Sequence, residues 1–170
     1  MPKGLKETSS LITIGFSVTE DAPDTFKESQ VDLQLNPLDN EVFVVQAIDL
    51  DGGIPNAIAA TNTAVNVSLT TTSRTAIANL SDSACLAAQR NEIRASGFVD
   101  GGVAFSKDSL ETPPAGLEYI GIIATNDFFV QIQGTNNGTV KAASGKLYGY
   151  RARADSAVYA ALVQSEVLSA

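Results

Sequence analysis

Asp49-Leu50-Asp51-Gly52-Gly53 is the stretch of this 170-residue chain whose spacing comes nearest to a cation loop. Carboxylates on alternate residues followed by glycine suit a hard cation such as calcium, which gathers several oxygen ligands from a tight turn. The third alternate position is Gly53, which has no side-chain ligand, and no glutamate follows at the twelfth position, so the segment is not an EF-hand. Asp49 and Asp51 are expected either to end a strand in a turn or to hold calcium at a subunit boundary. No cofactor is expected, with calcium the one possible exception.

The densest basic patch is Lys146, Arg151 and Arg153, with Lys141 upstream. On a strand, Arg151 and Arg153 face one way and Tyr148 and Tyr150 the other. The arginines suit phosphates, carboxylates of a neighbouring subunit, or solvent, whereas nucleic-acid binding usually needs a larger basic field. The tyrosines could stack on sugar rings or bases, or pack their rings against a sheet or interface with the hydroxyls wet. Asp100, Asp108, Glu111 and Glu118 are the acids from which a glycosidase pair could be drawn. Such a pair must sit roughly 5–9 Å apart with one pKa raised, and acids in Gly/Pro-rich loops are ordinarily solvated.

The chain has no histidine and a single cysteine, Cys85. That removes the commonest general base, the commonest zinc ligand and every Ser-His-Asp or Cys-His arrangement. One cysteine forbids an internal disulfide, and Cys85 reads as a small half-buried apolar residue, because nothing near it in sequence would lower its pKa. No Gly-Lys-Ser/Thr occurs and no Gly-x-Gly-x-x-Gly follows a strand. The chain is expected not to be an enzyme. Its net charge of −8 repels phosphate, so extensive direct contact with nucleic acid is not expected. The acidic excess reads as a solubility device or as adaptation to a saline setting. No apolar run is long enough for a transmembrane helix. The start, Met1 to Glu7, has two lysines but no apolar stretch behind them, unlike a secretory signal. Asn66, Asn79 and Asn137 match the glycosylation pattern and are expected to be unmodified.

The elements that would carry these residues are short strands. Ile12, Ile14, Phe16 and Val18 alternate on one face, as do Val31, Leu33 and Leu35, and again Val65, Val67 and Leu69. Val42 to Ile48 is a β-branched apolar run that reads as a buried strand. Further strands are expected at 92–99, 103–106, 119–124, 128–133 and 146–153. Asn137-Gly138 predicts a tight hairpin turn into a returning strand at 139–142. Residues 81–90, with Ser81 as cap and Ala84 to Gln89 behind it, predict a short helix. The tail from Asp155 to Leu168 predicts a second, capped by Asp155 or Ser156, with Val158, Leu162 and Val163 inward, although its valines also permit a strand.

Many short strands between Gly, Pro and Asn turns indicate an all-β fold, an antiparallel β-sandwich and most simply a jelly roll, with one short internal helix and a short C-terminal helix. The reading divides the chain into an N-terminal arm at 1–10, the sandwich at 11–154 and a C-terminal assembly segment at 155–170.

In length, polar arm, short strands, Thr/Asn/Gly-rich loops and short C-terminal segment, the chain resembles the small single jelly-roll coat proteins of viruses. The resemblance spans most of the chain. It implies a virion subunit that binds copies of itself, and other virion proteins, through its termini and sandwich-end loops. It makes Tyr159, Leu162, Val163 and Val167 the interface residues. It also implies a chain destined for the particle, and with no secretory signal the chain is expected to be made in the host cytoplasm. The arm departs from the strongly basic arms of many such coats, having only Lys3 and Lys6. The alternatives are a ligand- or carbohydrate-binding sandwich, weakened by the absence of tryptophan, and a phage decoration, tail or fibre protein.

Overall fold

Alternation decides which side of each strand is buried. In β2 (Ile12–Thr19) Phe16 and Val18 are buried and Ile12 and Ile14 pack against the same core, while Thr13, Gly15, Ser17 and Thr19 are exposed. The structure, a computed structural model, describes residues 1–99, the backbone of 103–108, and residues 116–170. One sheet holds β1 (Leu5–Glu7), β2, β4 (Glu41–Asp51), β8 (Gly121–Ile123) and β10 (Ala142–Ala154). In it β10 pairs with β4 along one edge and with β2 and then β1 along the other, while β8 lies outside β4. The second sheet runs β3 (Lys27–Asp32), β9 (Asp127–Thr135), β5 (Thr63–Thr70), β6 (Cys85–Arg94) and β7 (Val103–Asp108).

Among the described residues every pairing is antiparallel. With β1 and β7 set aside, the sheets read β2-β10-β4-β8 and β3-β9-β5-β6. Each sheet thus interleaves early and late strands, and most connections pass from one sheet to the other. This is the double-sheet jelly roll that the turn-rich sequence suggested.

The main core lies between the sheets, with Phe43, Ile48, Val65, Leu69, Phe128, Ile132 and Leu147 at its centre. Phe16 of β2 and Phe128 of β9 meet edge to face across it, with ring centroids 5.7 Å apart at 81°. That contact adds about 1 kcal/mol beyond the area buried. Strand β4 is buried on both faces. Tyr148 pairs with Ala47 but Gly149 with Val45, so Gln46 is the extra residue of a β-bulge. The bulge lets Phe43 and Val45, and then Ile48 and Leu50, all face the inter-sheet core. Val42 and Val44 face the opposite way, under the C-terminal helix. Two-sided burial explains why Val42–Ile48 reads as a continuous apolar run. Across from β4, the ring of Phe43 and the carbonyl of Val44 leave no room for a Cβ at Gly149.

Three local expectations are corrected. Residues 81–90 are not a helix: the segment turns and then enters β6 at Cys85. Asn79 Oδ1 accepts from the Ser81 amide and Asp82 Oδ1 from the Ala84 amide, so both side chains close turns instead of starting a helix. Pairing of β6 with β5 and β7 then outweighs the modest helix preference of Ala, Leu and Gln. Asn137-Gly138 does not close a hairpin either. Both edges of β9 are taken by β3 and β5, so the chain crosses to the other sheet, with positive φ at Asn136 and Gly138. Leu33 and Leu35 are buried as expected, but they follow β3, which ends at Asp32 before Gln34 turns at φ 52°.

Within the first ten residues, β1 pairs with the end of β10, and the Thr8 amide donates to the Arg151 carbonyl at 2.9 Å. The Gly101-Gly102 turn and the loop at 112–115 lie outside the described residues.

Candidate functional site

Helix α1 (Ser156–Ser169) lies across the outer face of the first sheet. Asp155 caps it, its carboxylate accepting from the Val158 amide at 2.8 Å. Val158, Tyr159, Leu162 and Val163 pack on Leu5, Val42, Val44, Ala124, Tyr150, Ala152 and Ala154. The far end is clamped by polar groups. Glu166 is buried, and its two oxygens accept from the backbone amides of Ala124 (2.8 Å) and Thr125 (2.9 Å) in the β8–β9 connection. An Arg74 Nη2 donates to the Ser169 carbonyl and to Asp82, each at 2.8 Å.

The opposite stripe of α1 faces outward. Ala157, Ala160, Ala161, Gln164, Val167 and Leu168 are exposed, with Val167 at 64% and Leu168 at 77%. Glu166 is the only acidic or basic side chain between Ser156 and Ser169, and it points into the protein. Its outer face is thus uncharged and mostly apolar, with Gln164 and Ser165 as its polar groups. A helix apolar on both sides is ordinarily covered on both.

One end of the sandwich is built with similar care. Glu20 is buried at the end of β2, accepting from the Gly134 amide at 2.6 Å and the Lys141 amide at 2.9 Å. Asn137, 1% exposed, bonds the Ala64 carbonyl and accepts from the Asn56 amide, while Asp24 accepts from the Asn137 amide. These groups tie the β2–β3, β4–β5 and β9–β10 loops together. The same end carries exposed Ile54 (80%), Phe98 (53%) and Val140 (44%), and the Phe98 carbonyl accepts from the Ala60 amide.

The structure disperses several residues that the sequence grouped. Of the four expected interface residues, Tyr159, Leu162 and Val163 face the chain's own sheet, and only Val167 turns outward. Lys146 alternates onto the face of β10 opposite Arg151 and Arg153, so the three make no common patch. Arg151 plugs the end of the sandwich, donating to the Leu33 carbonyl at 3.0 Å and pairing with Glu41 at 3.4 Å. Arg153 pairs with Asp39 at 2.9 Å. Lys141 reaches the Ile54 carbonyl and Asn56.

Asp49 accepts from the Tyr148 hydroxyl at 3.1 Å and Asp51 from the Gly53 amide at 3.3 Å. Among the described residues no three His, Cys, Asp or Glu side chains gather as a metal set. Tyr148 has its phenol pKa raised by that bond to Asp49. Tyr150 is buried under α1 and also raised, by burial first and then by Glu7 and Glu118. Of the four acids weighed for glycoside chemistry, Glu118 pairs with the amino group of Met1 at 2.6 Å. Asp100 and Glu111, and the side chain of Asp108, lie outside the described residues. Cys85 is half-buried, and its thiol is pushed up to about 11 by burial and then by the Asp82 charge.

Sequence reading missed the ion ladder on β6. Arg90, Glu92 and Arg94 share one face, Glu92 pairing with Arg90 and, at 3.0 Å, with Arg94. Burial pushes the Glu92 carboxyl up, but the bond from Arg94 and the charge of Arg90 outweigh it and hold the pKa below its ordinary value. The signal was the period of two in Arg90-x-Glu92-x-Arg94, hidden while the segment before it was read as helix. Glu20 and Glu166 were also missed. Each serves backbone amides far away in sequence, which no local pattern reveals.

No protein-family model and no curated protein matches the sequence. Among solved structures, the chain is similar to the unassembled VP1 pentamer of Merkel cell polyomavirus, at 5% identity and a TM-score of 0.41, over 86% of this chain and 96% of that one. It is also similar to Desmodium yellow mottle tymovirus (10% identity, TM-score 0.28, 88% and 92% covered). A third similar structure is that of turnip yellow mosaic virus (10% identity, TM-score 0.25, 83% and 94% covered).

Proposed function

We propose that this chain is a structural subunit that assembles with copies of itself, as a coat protein of a virus particle. One observation carries the reading: a 14-residue helix without a charged group on its outer face sits on the surface with only its inner face covered, leaving Val167 and Leu168 exposed. Apolar side chains grouped on a surface mark an interaction site. The jelly roll supplies a rigid slab, α1 gives it a sticky outer face, and the loop end with Ile54, Phe98 and Val140 gives a second place for neighbours to meet. Residues 1–10 and 155–170, which meet where the Gly4 carbonyl accepts from the Asp155 amide, act together as the assembly segments. The acidic balance fits contact with protein neighbours in a virion better than contact with a genome. A sugar-binding role is less well supported, because Tyr150 is buried beneath α1 and the Tyr148 hydroxyl is held by Asp49, so the pair offers no open platform.

The test is light scattering on a size-exclusion column, with negative-stain images of the peak. Rings, pentamers or closed particles are the expected result. A strict monomer across salt, pH and calcium contradicts the proposal.

A further inference from the structure

We infer that the outer face of β6 carries a binding site for one tetrahedral oxyanion, a sulfate or inorganic phosphate ion, beside Arg90 and Arg94. The site lies within one chain and does not depend on the assembly reading.

Strand register builds it. Ala64 of β5 pairs with Glu92 of β6 on one side and with Thr135 of β9 on the other. A small residue between two larger ones leaves a hollow, and a notch of about 90 Å³ opens there. A single water needs about 10–15 Å³ of such space, so the notch takes an ion the size of sulfate and no extended ligand. Arg90 and Arg94 flank Glu92 at a period of two and line the same notch from the β6 side.

Glu92 prepares these donors instead of cancelling them. It is buried and gives one oxygen to each arginine: Arg90 Nε meets Oε1, while Arg94 Nε (3.1 Å) and Nη2 (3.0 Å) meet Oε2. The carboxylate thereby fixes two guanidinium groups whose side chains are otherwise about half exposed. Two positive charges against one negative leave the notch positive. Among the described residues the two Nη groups of Arg90 and Nη1 of Arg94 have no partner, so charged donors remain for a ligand. The rim is fixed as well. Asn62 Oδ1 accepts from the Ala95 and Ser96 amides, and the Asn62 carbonyl accepts from Asn136 Nδ2.

Charge and shape select the ligand. The net charge of −8 is spread over the whole chain, and exposed acids more than about 8 Å away are largely screened at physiological ionic strength. The local positive excess therefore decides what enters. Thr135 stands across Ala64 from β6 and brings a hydroxyl that can donate. A planar carboxylate turns both oxygens to one wall, whereas sulfate and phosphate have oxygens for both.

Equilibrium dialysis against radiolabelled sulfate, with ionic strength held constant by chloride, reads the site in monomer and particle alike. A single sulfate per chain is expected, displaced by phosphate. Arg90→Gln and Arg94→Gln each leave Glu92 one arginine and are expected to weaken binding by about tenfold or more. Thr135→Glu alters an exposed position, puts a carboxylate at the notch and is expected to abolish binding at an unchanged melting temperature. Lys146→Gln removes a positive charge from the other sheet and is expected to bind as wild type. Wild type that takes up no sulfate above the chloride background overturns the site. So does binding that survives Thr135→Glu, or that Lys146→Gln weakens as much as Arg94→Gln does. Particles that bind no sulfate overturn the site and leave assembly standing.

Discussion

At the scale of single residues, buried polar groups and ion pairs account for most of what composition leaves open. Cys85 illustrates a thiol kept inert by its surroundings. Burial and the neighbouring Asp82 raise its pKa to about 11, so it is almost wholly protonated near neutral pH. Its reaction with a disulfide reagent at pH 8 is expected to be far slower than that of a free thiol, and to accelerate as pH rises towards 11. Rapid modification of the folded protein at pH 7 would contradict that environment. Glu92 shows the opposite shift. A carboxyl whose folded pKa lies below its unfolded value adds stability above the unfolded pKa, and that stability is lost as pH falls through the folded one. Glu92→Gln is therefore expected to cost about 1 kcal/mol at pH 7, where Arg90 and Arg94 lose their partner. The difference from wild type should shrink below about pH 4, near the ordinary carboxylate value. Urea unfolding at the two pH values measures it.

At the scale of elements, the decisive question is what each segment pairs with. A strand such as β2 is legible from sequence because its apolar residues all pack on the core while the alternate ones are exposed; β5 alternates likewise in sequence, although both its faces are covered. The C-terminal helix is legible from the Asp155 cap. Residues 81–90 are not, because local preference there is weak and two neighbouring strands impose extension. The Asn-Gly turn is not, because only the identity of the occupied edges tells a hairpin from a crossover. What holds that crossover is Asn137, whose side chain replaces the missing ladder bonds. Asn137→Ala leaves the Asn56 amide and the Ala64 carbonyl without a partner and is expected to cost about 2–3 kcal/mol, read as a lower unfolding midpoint.

The candidate assembly residues were half legible. The existence of the helix was legible, but apolar residues on both its faces made the inward and outward stripes indistinguishable by pattern. Burial separates them. Leu162 belongs to the core beneath α1, so Leu162→Asp is expected to destabilise the isolated subunit by about 3 kcal/mol or more. A Leu162→Asp subunit that melts like wild type would place Leu162 outside that core.

For the whole molecule, a jelly roll with a net charge of −8 carries a helix whose outer stripe, among the described residues, has no charged side chain. The proposed assembly requires that stripe to be covered by a neighbour. Leu168 is 77% exposed near the end of α1, so a charge placed there is expected to leave the fold intact and act only on association. The most direct measurement is therefore the solution mass of wild type and Leu168→Glu side by side, with the melting temperature of each. The account predicts an assembled wild type, and a Leu168→Glu protein that melts within about 2 °C of the wild-type subunit yet runs as a smaller species. Equal mass for the two proteins at equal stability would contradict it.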